Sequence, residues 1–327
     1  MLNRFQKWAI LTTFTTYFLI TVGAFVRAAG AGMGCPDWPR CFDRWIPPTD
    51  VSQLPAGMDP ALFNVRLAWT EYINRLVGVS TGIFIFVTLI LAYRHYRGVP
   101  RVLWPTVAAF VGVAYEGWLG SRVVASELEP LMVTAHLVVA LIVVSLLLYA
   151  TVCAFFPDGR PLKHLPRERR RLGGYGALAL VLLLSQIGLG AWLRGTLEVI
   201  SRSDVSLPRG EWIAHAGWVD ALHRTSAWLV AGSLLFLFVQ QRRLSPRLPW
   251  LNRAGIAALG LVGFQIVLGL GLVDLDLPPL LQVLHLTVAS LLMGVLTLFI
   301  MLAFRLPTSL GAPIHVPLRP SPDVKLS

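Results

Sequence analysis

The chain has 327 residues, of which 55% are hydrophobic and 14% charged. A soluble domain carries roughly 25% charged residues, so a water-soluble globule is excluded. The net charge of +11 first suggests a nucleic-acid surface, but the basic residues lie in short segments between apolar runs and read as a topology signal instead.

Runs of about 20 apolar residues are long enough to cross a bilayer as helices. They recur at 8–27, 74–93, 104–122, 132–155, 175–194, 224–240, 254–273 and 284–304. The pattern predicts an all-α polytopic membrane protein with eight transmembrane helices. The first run ends in "RAAGAG", which mimics a signal-peptidase site. It is too long for a typical signal core and has a counterpart later in the chain, so it reads as a retained helix. A long loop follows, carrying Cys35 and Cys41 in "GCPDWPRC". The second run opens with "EYINRLVG" and the sixth with "DALHRTSA".

Most of the 28 Lys and Arg residues precede the first run, follow the last, or fall in the 94–101, 158–171 and 241–253 segments. Cytoplasmic loops favour Lys and Arg. Both termini are therefore expected on the cytoplasmic side of the cell inner (plasma) membrane, with some attraction to anionic lipid and no nucleic-acid partner.

The two halves are related by an internal repeat. One constant offset lays Glu71 on Asp220, Asn74 on His223, Arg75 on Arg224, Glu116 on Gln265, Gly120 on Gly269 and His136 on His285. A longer offset lays "GAFVRAAG" on "GAWLRGTL", with Arg27 over Arg194. Each half has an even number of helices, so both share one orientation. The expected architecture is two four-helix bundles related by a pseudo-two-fold axis along the membrane normal, as in parallel-repeat membrane proteins. The N-terminal half is 1–157, with its outer loop at 28–70. A cytoplasmic linker covers 158–173, the C-terminal half 174–306 and a tail 307–327.

His95, His164 and His315 fall in basic or Pro-rich segments and read as solvated surface. His136, His223 and His285 each begin an apolar run at the outer end of a helix, and His215 precedes the sixth run. One such histidine is as readily a packing residue. Three at one depth, two of them repeat-related, favour a ligand role, because ionisable residues in spans are costly. Zinc would need further ligands nearby. Two imidazoles from facing helices suit a haem plane, which assigns His223 and His285 to one iron. Arg27, Arg75, Arg122, Arg194 and Arg224 lie at outer helix ends. Snorkelling explains any one of them, whereas haem propionates would use the repeat-related pairs through bidentate guanidinium contacts. Cys35 and Cys41 form either a structural staple or a redox pair. Cys153 reads as packing.

Taken together, "GAFVRAAGAGMGCPDWPRC", "EYINRLVG", "TAHLVVAL", "LHRTSAWL" and "LHLTVASLL" resemble the haem A synthase family over nearly the whole chain. The resemblance implies oxidation of the C8 methyl of haem O to a formyl group, giving haem A for terminal oxidases. It implies haem b as cofactor on His223 and His285 in the second half, with Arg194 and Arg224 on its propionates. Haem O as substrate would sit in the first half with His136, Asn74, Arg75 and Arg27, Glu71 being catalytic and Cys35 and Cys41 taking part in electron or haem transfer. Implied partners are a haem O synthase that hands over the substrate, an electron donor and membrane lipid; a homo-oligomer is compatible with the sequence. Many relatives place histidine where this chain has Asn74, and some carry a second Cys pair that the 195–222 loop lacks. Asn74 either leaves an axial position open for chemistry on the substrate haem or is a tolerated weakening of the site. The rival readings are a quinol-linked membrane b-type cytochrome, against which the unequal halves argue, and a transporter, which would show helices broken near midplane.

Overall fold

The computed structural model describes residues 2–156, 167–244 and 248–305. Most of the 158–173 linker and the whole of the 307–327 tail lie outside the described residues. The described helices are α1 (Arg4–Ala28), α2 (Val65–Tyr96), α3 (Pro100–Ala125), α4 (Pro130–Phe155), α5 (Arg167–Ser203), the short α6 (Trp212–His215), α7 (Trp218–Arg242), α8 (Pro249–Asp274) and α9 (Pro279–Arg305). All but α6 are long and apolar enough to cross a membrane, giving 8 candidate spans.

Polar and proline residues set where the helices start. Asn3 accepts from Gln6 N, and Gln6 Oε1 accepts from Asn3 N, which forms a capping box on α1. Asn64 Oδ1 accepts from Arg66 N and Leu67 N at the head of α2, and Glu129 accepts from Met132 N at the head of α4. Prolines open α3, α4 and α8, where the missing N–H would be unpaired in any case. Pro100 and Pro249 are repeat-related, as are Pro130 and Pro279. Several helices begin earlier than the apolar runs: α2 starts at Val65 and α5 at Arg167, inside the segment read as linker. Arg169 in that first part of α5 is buried and donates to Ala303 O and Leu302 O (3.1 and 2.9 Å). A guanidinium there complements the carbonyl end of α9.

The repeat extends to the backbone. The turn between α3 and α4 places Glu127 and Leu128 at φ 53° and 66°, and the turn between α8 and α9 places Asp276 and Leu277 at φ 58° and 57°. Non-glycine residues with positive φ are uncommon, and here two consecutive ones recur at matching positions. Helix pairing is duplicated as well. In the first half α1 packs on α2 and α4, α2 on α3, and α3 on α4; in the second α5 packs on α7 and α9, α7 on α8, and α8 on α9. Between the halves α1 meets α9, α4 meets α5, and α4 meets α9, a pattern compatible with a pseudo-two-fold relation. One apolar core spans both halves, joining Ile20, Leu141 and Val144 to Leu183, Leu234, Leu292 and Leu296. Large apolar side chains such as Phe14, Trp104 and Trp228 point outward, as a lipid-facing surface requires. Inside the first half, Thr12 and Thr88 hydroxyls meet at 2.8 Å and Thr13 and Thr151 at 3.1 Å, tying α1 to α2 and to α4.

Candidate functional site

Glu71, Asn74, Arg75, His136, His223 and His285 lie in the early turns of their helices, at the end of the bundle that carries the long 29–64 loop. Cys35 and Cys41 are joined in a disulfide, and both are buried with Phe42 against Ala68 of α2. Gly34 makes this approach feasible. A Cβ there would stand 2.2 Å from Leu67 O and 2.4 Å from Leu67 C, so only glycine lets the loop lie directly on the helix.

Glu71, on the second turn of α2, is 4% exposed. Its Oε2 accepts from Cys35 N at 2.7 Å and its Oε1 from Arg75 Nε at 3.1 Å, with Arg75 NH2 closing an ion pair on the same oxygen. The Arg75 guanidinium continues to Asp37 O (2.8 Å) and Arg40 O (2.7 Å). Glu71 and Arg75 thus clamp the disulfide loop to α2. Most of the Arg75 donors are thus engaged by a carboxylate and by loop carbonyls. The repeat-related pair, Asp220 and Arg224, also forms an ion pair, with Arg224 largely exposed.

The histidines lie inside their helices, in the second turn of α4, α7 and α9, rather than at the helix heads. His223 Nδ1 is 3.1 Å from Gln186 Nε2, which also donates to His223 O at 2.8 Å. A Cβ on Gly190 would come within 2.9 Å of the His223 ring, and one on Gly269 within 3.5 Å of the His285 ring. His285 Nδ1 is buried without a hydrogen-bond partner. In the first half, Asn74 Oδ1 is likewise buried without a partner. Gly23, the counterpart of Gly190, has nothing within 4 Å of a built Cβ, so space opens where the second half packs an imidazole. His136 Nδ1 lies 2.8 Å from Glu116 Oε2. His215, on α6, is exposed, its Nδ1 2.9 Å from Glu211 O. Among the described residues no three His, Cys, Asp or Glu side chains cluster as a metal-ion site.

The arginines assigned to separate haems, Arg27 and Arg194, instead meet at one carboxylate. Arg27 NH2 donates to Glu198 Oε2 at 3.0 Å, Arg194 NH1 is 3.6 Å from the same atom, and Arg202 NH2 donates to Glu198 Oε1 at 2.8 Å. Arg194 Nε also donates to Gln282 Oε1 (3.0 Å). Sequence reasoning missed Glu198, whose signal was its i, i+4 spacing from Arg194. It also missed the partners Gln186 and Glu116; for Glu116 the signal was the pairing of an acid with Gln265 in the repeat.

Fold and site define a multi-pass helical membrane protein with two related but unequal imidazole sites under one end of the bundle. The COX15-CtaA family model, described as cytochrome oxidase assembly protein, matches residues 6–297, and the chain belongs to that family. It is 25% identical over 316 residues to a protein of Shewanella oneidensis named Heme A synthase, covering 86% of this chain and 92% of that one. A Heme A synthase of Bacillus cereus (strain G9842) is 24% identical over 317 residues, covering 93% and 95%, and one of Shouchella clausii is 24% identical over 239 residues, covering 72% and 75%.

Proposed function

We propose that the chain is a haem A synthase, oxidising the C8 methyl of haem O to a formyl group. The observation that carries this reading beyond family membership is the inequality of two repeat-related sites. The second half offers one imidazole from each of two helices, His223 on α7 and His285 on α9. The first offers one imidazole, an unpartnered carboxamide, open space beside Gly23 and a buried carboxylate under a disulfide loop.

The residues fit a haem in each half. Glycines beside His223, His285 and His136 let each ring lie close against a neighbouring helix, and the unpartnered Asn74 Oδ1 is a buried polar atom of the kind that a ligand satisfies. When bound, haem b on His223 and His285 supplies one-electron transfer. With Nδ1 turned to Gln186, His223 has Nε2 left for iron. His136 would hold the substrate haem, and Asn74, a weak iron ligand but a good hydrogen-bond partner, would be the further residue available to it. Glu71 holds or moves a proton at its carboxyl oxygens, while the disulfide loop covers it from water. Arg224, exposed beyond its pairing with Asp220, and the Arg27–Arg194 cluster are the cations available to propionates.

The placement of Lys and Arg supports termini on the cytoplasmic side of the plasma membrane and haem sites towards the outer side. A haem O synthase would deliver the substrate and a separate donor the electrons. The test is to express the chain with a source of haem O and extract the haems. Haem A is the expected product. Bound haem b with no haem A would favour the b-type cytochrome. His223→Ala and His285→Ala should each remove the low-spin optical signature, and a full complement of low-spin haem in both would overturn their assignment.

A further inference from the structure

The repeat places Glu116 of α3 where the second half has Gln265 of α8. The two side chains are nearly isosteric and differ by one charge, yet they do different things. Gln265 donates Nε2 to His285 O at 2.9 Å, and Gln265 Oε1 and His285 Nδ1 are both without a partner. Glu116 is 9% exposed and sets Oε2 2.8 Å from His136 Nδ1. This contact is close in distance but not aligned as a hydrogen bond, and Glu116 Oε1 has no partner. Hydrogen bonds of this kind often tighten only when the ligand is in place.

We infer that Glu116 is a positioning residue for the first-half haem: its carboxyl group receives the His136 Nδ1–H, orients the ring so that Nε2 faces iron, and makes His136 a stronger donor than His285. A carboxylate behind a ligating imidazole fixes its tautomer and raises its basicity, and the axial ligand's electron donation is one of the levers that set a haem's potential. A stronger donor favours the ferric state. Glu116 therefore lowers the potential of the first-half iron relative to a carboxamide at that position, and Gln265 gives the second half no equivalent push. The inference rests on the reading of His136 as the ligand of the first-half haem.

The test is an optically monitored redox titration of the full protein loaded with haem b and haem O. Two one-electron waves are expected, the first-half wave being the one that His136→Ala removes. Glu116→Gln should raise that wave by a tenfold or larger change in the ratio of ferric to ferrous stability, 59 mV for a one-electron couple, and leave the other wave in place. The reciprocal Gln265→Glu should lower the second-half wave, and it provides the answer if Glu116→Gln fails to load. An unmoved first-half wave in a loaded Glu116→Gln protein overturns the inference, as does an unmoved second-half wave in Gln265→Glu when Glu116→Gln does not load. If instead His136→Ala keeps both waves, the ligand assignment beneath it fails, and that result is distinct from the other two.

Discussion

Glu71 combines two roles that a single substitution separates. Its carboxylate anchors Cys35 N and Arg75, and it is the acid nearest the Asn74 position on α2. A dipole-complementing role at a helix head does not apply, since α2 begins at Val65. Glu71→Gln keeps an acceptor for Cys35 N and removes the proton-carrying group. Haem b content should stay intact while haem A formation falls by at least about 10²-fold, the scale of a lost acid–base group. Haem extraction checks both, and retention of most activity would leave the clamp as the residue's only function. Asn74 carries the second prediction at this scale. If its side of the first-half site is open, the haem there is high-spin, and Asn74→His converts it to low-spin and slows turnover. Electron paramagnetic resonance reads the spin state. A low-spin first-half haem in the unmodified protein, or undiminished haem A production by the variant, would contradict the open site.

At the scale of elements, the disulfide loop is held to α2 by a close backbone approach as well as by the Glu71–Arg75 clamp. Gly34→Ala would drive a Cβ into the Leu67 peptide, and because backbone cannot turn aside as a side chain can, the loop must lift. Overpacking of this kind costs about 1–3 kcal/mol. The expected outcome is a Cys35–Cys41 bond that reductant reaches faster than in the parent, measured by thiol labelling, together with loss of haem A formation. Unchanged labelling kinetics would mean that the loop does not depend on this contact. The helices themselves were largely legible: length and hydropathy are local properties, and each of the eight spans follows from them. Their starts were not, because caps such as Asn64 and Glu129 lie outside the apolar runs. That displaced Glu71, Asn74 and the three histidines from helix heads to positions inside the helices.

Across the whole molecule, the two halves are joined by a shared core and by a polar staple. Arg27 of α1 reaches across to Glu198 of α5, where Arg194 and Arg202 also converge. Glu198 has no acidic counterpart in the first half, so the staple is not a product of the repeat. Glu198→Ala would leave three guanidinium groups crowded without their shared acceptor. A hydrogen bond to a charged group contributes about 1.5–3 kcal/mol, so thermal unfolding in detergent should occur at lower temperature, with the loss reduced once haem propionates are present to take the place of the carboxylate. An unchanged unfolding temperature would show that the core alone holds the halves together.

The sequence by itself determined the span count and the internal register, because hydropathy and residue type are written along the chain. Even the inequality of the halves is visible there, in Asn74 against His223 and Glu116 against Gln265. What those substitutions touch was decided only by tertiary structure. Arg75 and Arg224 occupy equivalent positions, yet one is taken up by a loop that the other half lacks. Arg27 and Arg194 are equivalent in the repeat, yet they meet at one carboxylate. A side chain's partner depends on which helices lie beside it and on what covers its end of the bundle, and neither is encoded in the spacing of residues along a single helix.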